Sequence, residues 1–397
     1  MKKLIQLLVF AALVTTLALP TLAQGTTNTS STAAGAQDEA QAKVELYKKF
    51  TDNRTANPPA AYEAAKEYLS KYAAKDGPDD QYIKYLNKWV SSYDKVAKRQ
   101  ALIEAFNNKN YTTVFASAKD VIADYPDDVD VLYLLVKAGY LSAATGSDAN
   151  NADAAMYAKK LIPFVQSGKN PDPGKSKDEV LGSLNYAIGL FLQKTQPAEA
   201  ATYFINAAQF EGTSKKDPQT YIFIADFYEK GDYATLAKQY TDTCKTPEQV
   251  SSQSCVDLKA KVDNVVDHII DALARAIAYS NTAPNAAQLG AARTAWTEAI
   301  TNYYKYRNNG ADTGLKELLA SITSRPLPKP GEAVTPSLFP ASTTPTTGST
   351  TPGAASTTTT APKTTTAPAN TKVGTTTTTS QPTGKTSSSK TTPKRAH

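Results

Sequence analysis

The apolar residues between 38 and 324 recur three or four positions apart, and this spacing most restricts how the chain can fold. An α-helix places such residues on one face, whereas a half-buried strand needs alternation, of which this region has no convincing run. Two examples are the stripes Tyr82, Leu86, Trp89, Val90, Tyr93 and Leu258, Val262, Val265, Val266, Ile269, Ile270, Leu273, Ile277. The pattern predicts an all-α fold of about a dozen helices, each packing chiefly on its neighbours.

Residues 1–23 have the pattern of a secretory signal peptide. Lys2 and Lys3 precede an apolar run from Leu4 to Leu19, and small residues permit cleavage after Ala23. A retained membrane helix is the alternative, but the run is shorter than the roughly 20 residues that span a bilayer. We therefore expect export to the periplasm or the cell surface and no transmembrane span after cleavage. Residues 24–37 are predicted to form a disordered linker.

The C-terminal residues 326–397 are rich in Thr, Pro and Ser, and we predict that they are disordered. From 333 onward there are 24 Thr in 65 residues and no Asp or Glu. Such a segment has too little apolar surface to offset the entropy of ordering. We expect it to act as a tether, whose removal from 333 onward leaves the unfolding of the helical region nearly unchanged.

The net charge of the chain comes from its two ends. The whole chain carries +6, the signal peptide +2 and the segment from 333 onward +6, which leaves residues 24–332 at −2. A slightly acidic helical region is poorly suited to nucleic-acid backbones, so no nucleic-acid partner is expected. The basic tail is expected to make weak, salt-dependent contacts with anionic envelope polymers.

Residues able to carry catalysis or to bind metal are scarce. Cys244 and Cys255 are candidates for a local disulfide, with two unpaired thiols as the alternative. His268 falls on the polar side of its helix with Asp271 three residues on, and we interpret both as exposed. Arg275, four positions further, is the expected ion-pair partner of Asp271. No metal, cofactor or catalytic residue is predicted, and the protein is expected not to be an enzyme.

Two segments of the central region can be superimposed with a shift of 36 residues. LNYAIGLFLQKTQPAEAATYFINAAQ (184–209) then matches TYIFIADFYEKGDYATLAKQYTDTC (220–244), and each reads as helix, tight polar turn and helix. The pair resembles tetratricopeptide repeats, and EKGDY at 229–233 is similar to the turn of that family. The resemblance implies a solenoid of degenerate helical hairpins over 38–250, with capping helices over 251–325.

Binding residues follow only from this resemblance. In tetratricopeptide repeats the first helix of each pair lines a concave groove that holds an extended peptide or a partner helix. The matching positions in this chain are Asn185, Gly189 and Gln193 in one unit, and Tyr221, Ala225, Tyr228 and Glu229 in the next. Exposed tyrosines would suit recognition, because they combine a large contact area with a polar tip. The alternative is that these tyrosines pack between helices.

These observations favour an exported, non-enzymatic protein–protein interaction scaffold that binds a protein or peptide in its groove. Two alternatives remain at this point. An envelope polysaccharide-binding module would show exposed aromatic residues along the groove. A helical enzyme acting on glycans would show two carboxylates facing each other about 5–10 Å apart.

Overall fold

The computed structural model describes residues 32–339, with side chains from residue 37 onward. Within that range all regular secondary structure is helical and no strand is present, so the all-α prediction is confirmed. None of the helices in the described range is long and apolar enough to cross a membrane. The predicted signal peptide and the tail from 340 to 397 lie outside the described residues.

The described helices belong to two compact units, whose boundary lies between Val96 and Ala97 inside one helix. The first unit contains α1 (Thr32–Asn53), α2 (Pro58–Asp76) and the first part of α3 (Gln81–Asn107). Because α1 begins at Thr32, the prediction of a disordered linker to residue 37 is wrong over its last residues. Three alanines between 33 and 36 favour the helix there.

The first unit has a core rich in aromatic residues. Phe50 and Tyr68 are fully buried, and the ring of Trp89 packs edge-on against Phe50 with 5.1 Å between centroids. Trp89 also stacks on Tyr93 of the same helix, and Tyr93 stacks on Tyr62 of α2 with 4.6 Å between ring centroids. These contacts join all three helices of the unit.

The second unit continues from the end of α3 through helices that each pack on the next along the chain. The first five are α4 (Tyr111–Asp124), α5 (Val129–Ala144), α6 (Asn151–Gln166), α7 (Lys177–Leu192) and α8 (Pro197–Ala207). Asp128 caps α5 by accepting hydrogen bonds from the backbone N–H groups of Asp130 and Val131. Gly139 lets α5 approach α6 closely, because a Cβ atom there would lie 2.3 Å from the Cβ of Ala154.

The helices α7 and α8 form a hairpin, called the short hairpin below. Gln196 leaves the helical region (φ −140°, ψ 66°), and Pro197 is the first residue of α8. Proline disfavours a helical residue before it and suits the first helical position, so it fixes the turn. The ring of Phe204 then packs on Gly189, where a Cβ atom would lie 2.8 Å from ring carbons. The hairpin predicted over 184–209 is therefore present.

Beyond α9 (Thr213–Lys216), residues 218–280 form what we call the long hairpin. Its first arm consists of α10 (Pro218–Tyr228), a π-helical segment (Glu229–Tyr233) and α11 (Ala234–Thr243). Tyr228, Glu229, Tyr233 and Ala234, at the junctions, all keep right-handed helical dihedral angles. The tight turn predicted at 229–233 is therefore wrong, and the helix continues through it.

The second arm of the long hairpin is α13 (Gln253–Ser280), reached through a loop that contains α12 (Pro247–Val250). Its 28 residues correspond to about 42 Å of helix. The two arms run antiparallel, since Tyr221 stacks on Tyr279, Tyr228 stacks on His268, and Cys244 is bonded to Cys255. The boundary that we predicted at residue 250, between the helical repeats and the capping helices, lies inside the connecting loop. The helix α13, predicted as a capping helix, is therefore one arm of this hairpin.

The C-terminal part of the described chain contains α14 (Gly290–Arg307), α15 (Leu315–Ser321) and a 3-10 turn (Ile322–Ser324). Residues 326–339, here called the strap, follow without regular secondary structure. Leu338 of the strap is 5% exposed, and the ring of Phe339 lies 5.0 Å from that of Tyr304. The predicted start of the disordered tail at 326 is therefore wrong, because apolar residues of the strap pack on the second unit.

Candidate interaction surfaces

Five of the seven predicted groove positions are buried, namely Asn185 and Gly189 of α7 and Tyr221, Ala225 and Tyr228 of α10. Asn185, Tyr221 and Tyr228 are 5%, 1% and 4% exposed. The Asn185 amide donates to the Leu181 carbonyl at 2.8 Å, and the Tyr221 hydroxyl donates to the Lys215 carbonyl at 2.8 Å. Burial raises the pKa of Tyr228 to about 12. The groove-facing assignment is wrong for these five residues, and Tyr221 and Tyr228 pack between helices, as the alternative for the tyrosines proposed.

The other two predicted residues are half-buried and lie apart in the fold. Gln193 follows the last residue of α7. Glu229 begins the π-helical segment, and its carboxylate accepts a hydrogen bond from the Tyr303 hydroxyl of α14 at 2.9 Å. The ring of Tyr303 also packs edge-on against Tyr233, at the other end of that segment. Glu229 thus contacts a neighbouring helix, which the repeat resemblance did not indicate.

The polar face of α13 is covered, whereas the sequence predicted that it is exposed. His268 is 4% exposed, and its Nε2 donates to the Glu332 carbonyl of the strap at 2.8 Å. The predicted Asp271–Arg275 pair is confirmed, with 2.7 Å between Arg275 Nε and Asp271 Oδ1. Both side chains are under 5% exposed. Burial raises the pKa of the Asp271 carboxyl, and the Arg275 guanidinium opposes that shift.

Two further carboxylates lie one turn apart on α13. Arg307 of α14 pairs with Asp267 at 2.7 Å and with Asp263 at 3.2 Å. Tyr306 donates a hydrogen bond to Asp263 at 3.0 Å. Lys259 also pairs with Asp263 at 2.7 Å, so two cations offset the two carboxylates. The Arg307 guanidinium fills the space where a glycosidic bond would have to lie, and this pair is therefore explained as a contact between helices. Within residues 37–339, no group of three or more His, Cys, Asp or Glu side chains is arranged to hold a metal ion.

An open pocket of about 270 Å³ lies beside α5 and is called the α5 pocket below. It is lined by Phe106, Asp130, Tyr133, Leu134, Lys137 and Pro171. The Tyr133 hydroxyl donates to Asp172 Oδ2 at 3.1 Å, which fixes the ring at the wall. The Lys137 ammonium lies 5.5 Å from the centre of the same ring. Aromatic and aliphatic walls with an acid and a base at the rim can receive an apolar side chain next to a charged one.

Sequence reasoning missed the α5 pocket because its walls come from distant parts of the chain. Phe106 lies at the end of α3, four residues come from α5, and Pro171 lies in the loop before α7. No local motif connects these positions. A larger depression of about 470 Å³ runs along α14, but all of its lining residues belong to that one helix. It therefore has no opposing wall.

The comparisons with known proteins give no relative for this chain. No family model, no curated protein and no solved structure matches it. The case for a function therefore rests on the geometry described above.

Proposed function

We propose that this protein is an exported, non-enzymatic scaffold that binds a protein or peptide partner through the α5 pocket. The observation that carries the proposal is the pocket itself, because it combines apolar walls with rim charges of both signs in the second unit. Partner recognition commonly depends on such an anchor pocket surrounded by polar groups. We relocate the binding surface from the buried residues near Tyr221 to this pocket.

The expected ligand is an extended segment that presents an apolar or proline side chain beside a charged residue. Tyr133, held by Asp172, offers a preformed wall that loses little rotamer freedom when a ligand binds. Asp130 and Lys137 are both exposed and lie on the same helix, so the rim can pair with a ligand charge of either sign. Charges at a rim mainly set specificity and the rate of association.

Two broader parts of the proposal rest on the sequence and on the disulfide. Export is supported by the N-terminal pattern and by the Cys244–Cys255 disulfide, since disulfides persist in oxidising compartments. The relation to tetratricopeptide repeats rests on the sequence resemblance of 184–209 to 220–244. Weak binding of the basic tail to anionic envelope polymers completes the proposed arrangement.

The proposal is tested by photo-cross-linking in the envelope fraction of the source cells. A photoreactive amino acid replaces Lys137 in the pocket rim, and a matched control replaces Met156, which is 51% exposed and lies outside the pocket lining. We expect a discrete protein adduct from position 137 that is absent from position 156, and a weaker adduct when Tyr133 is also changed to Ala. Glycan attached at position 137 would support the polysaccharide-binding alternative. The same adducts from both positions would contradict binding in the α5 pocket.

A further inference from the structure

The strap is held mainly through its backbone carbonyl groups. Arg275 donates from Nη2 to the Pro326 carbonyl at 2.8 Å and to that of Arg325, the residue just before the strap, at 3.1 Å. His268 of the same helix donates to the Glu332 carbonyl at 2.8 Å. Arg325 in turn donates to the Ser337 carbonyl at 2.8 Å, a bond that ties the strap to the residue before it. Protein grooves bind extended peptides in this way, through donors that form hydrogen bonds with main-chain carbonyl groups.

Apolar side chains of the strap provide anchors in addition to these hydrogen bonds. Leu338 is buried, and Phe339 packs between the ring of Tyr304 and the guanidinium of Arg307, which lies 5.1 Å from the ring centre. Leu327 and Val334 pack against the same core. The strap thus has the two features of a docked peptide: bonded carbonyls along its length and buried side chains at intervals.

The groove that holds the strap, called the strap groove, consists of side chains of α13 and α14. Arg275 is 4% exposed and is oriented by its bidentate bonds to Asp271, so the donors are fixed before the strap docks. Preorganised donors lower the entropy lost on binding. Ile322, which begins the 3-10 turn, is fully buried, whereas Thr323 and Ser324 are exposed. A hinge at Thr323 and Ser324 would let the strap leave without unfolding a helix.

We propose that the strap groove is an exchangeable peptide-binding site, and that its second ligand is the strap of another copy of this chain. A second copy supplies the same carbonyls and the same Leu338 and Phe339, so every contact within one chain can be remade between two. Reciprocal exchange of one identical element is a low-cost route to a closed dimer. The strap groove and the α5 pocket have no lining residue in common, so the two proposals succeed or fail separately.

The test uses full-length chains that carry single new thiols beside the strap groove, at positions that are not its anchors. One chain carries Asn264→Cys, one helical turn before His268, and the other carries Glu332→Cys, at the strap residue whose backbone carbonyl accepts from His268. The native cysteines remain bonded to each other. The two chains are mixed, then unfolded in urea and refolded at high protein concentration at acidic pH, where thiols do not attack the disulfide, and are treated with a short bismaleimide. We expect an adduct of twice the chain mass, and at least tenfold less of it when the Asn264→Cys chain also carries Arg275→Met and Asp271→Leu, which remove the strap donor without leaving a buried charge.

A control chain carrying both Asn264→Cys and Glu332→Cys at low concentration should cross-link within itself. If this control cross-links while the mixture yields only monomers, exchange between copies is refuted. If the control does not cross-link, the strap does not dock beside His268, and the proposal is wrong. An adduct that is unaffected by the Arg275→Met and Asp271→Leu substitutions would also overturn the proposal, because collision between unfolded chains would then explain the product.

Discussion

Residues 184–209 and 220–244 can be aligned at a constant offset of 36, yet the first segment folds back on itself and the second continues as one helix. At this offset Pro197, which begins α8, corresponds to Tyr233, which ends the π-helical segment. Proline removes a backbone donor and restricts the residue before it, whereas tyrosine does neither. The comparison teaches that one proline, and not the shared pattern of apolar residues, separates a turn from a helix here.

The two hairpins are also held together by different contacts. In the short hairpin, the ring of Phe204 packs on Gly189 and meets the ring of Tyr186 edge-on at 5.6 Å. The two arms of the long hairpin are joined by the disulfide at its tip and by two stacked ring pairs along its length. Its second arm, α13, also carries the buried Asp271–Arg275 pair under the strap. A long arm needs several contacts because no single one fixes its whole length. The variants below test each difference, from the largest expected effect to the smallest.

The largest effect is expected from Arg275→Met in the long hairpin. This change leaves the buried Asp271 carboxylate without its cation, and the carbonyls of Arg325 and Pro326 without this donor. We expect a loss of about 3–5 kcal/mol in the free energy of unfolding, measured in urea. Changing Asp271 to Leu in the same chain should recover much of the loss, because no unpaired charge is then buried. A double variant no more stable than the single one would show that the pair is not the cause.

Transferring the proline of the short hairpin to the long one is the next test. Tyr233→Pro removes a helical hydrogen bond and should destabilise the protein by about 3 kcal/mol or more, beyond the effect of Tyr233→Ala. The alanine variant is the control, since it also loses the ring contact with Tyr303 at 5.6 Å. Equal stabilities of the two variants would indicate that residue 233 already lies in a turn.

The disulfide at the tip of the long hairpin should contribute somewhat less. Its sequence separation is 11 residues, and closing a loop of that size restricts the unfolded chain by about 2–3 kcal/mol. We expect a chain with both Cys244→Ala and Cys255→Ala to lose that much stability and to become insensitive to reductant. A chain that loses nothing would show that the ring contacts alone hold the tip.

A smaller loss is expected from Gly189→Ala in the short hairpin. The new methyl group would lie 2.8 Å from carbons of the Phe204 ring, which must move. Overpacking of this kind costs about 1–3 kcal/mol, which exceeds the gain from replacing a helical glycine. Thermal melting followed by circular dichroism measures the change. An unchanged or higher melting temperature would mean that α7 and α8 are not in close contact at this position.

The sequence alone predicts the all-α fold class, but it does not predict which residues form the exposed binding surfaces. Helical spacing predicts the stripe on α13 and the Asp271–Arg275 pair, because both depend only on positions along one helix. It wrongly places His268 in solvent, since the strap that covers it lies 64 residues further along the chain. The groove residues are misplaced for the same reason. The alignment with helical repeats predicts which helix face is exposed from nearby residues only, whereas Tyr221 is buried by Tyr279, which is distant in the sequence. The α5 pocket, assembled from three separate segments, has no signature in the sequence at all.

The central claim is that the chain from Pro218 to Thr243 is one helical arm, and Gly231→Ala tests it most directly. A Cβ atom at position 231 would meet no neighbouring heavy atom within 4 Å, and the φ of Gly231 is not positive. In a continuous helix, alanine at this position should raise the free energy of unfolding by about 0.4–1 kcal/mol, measured in urea with an unchanged m value. In a tight turn that requires a left-handed glycine, the same substitution would lower it by about 1 kcal/mol or more, and that result would contradict the account.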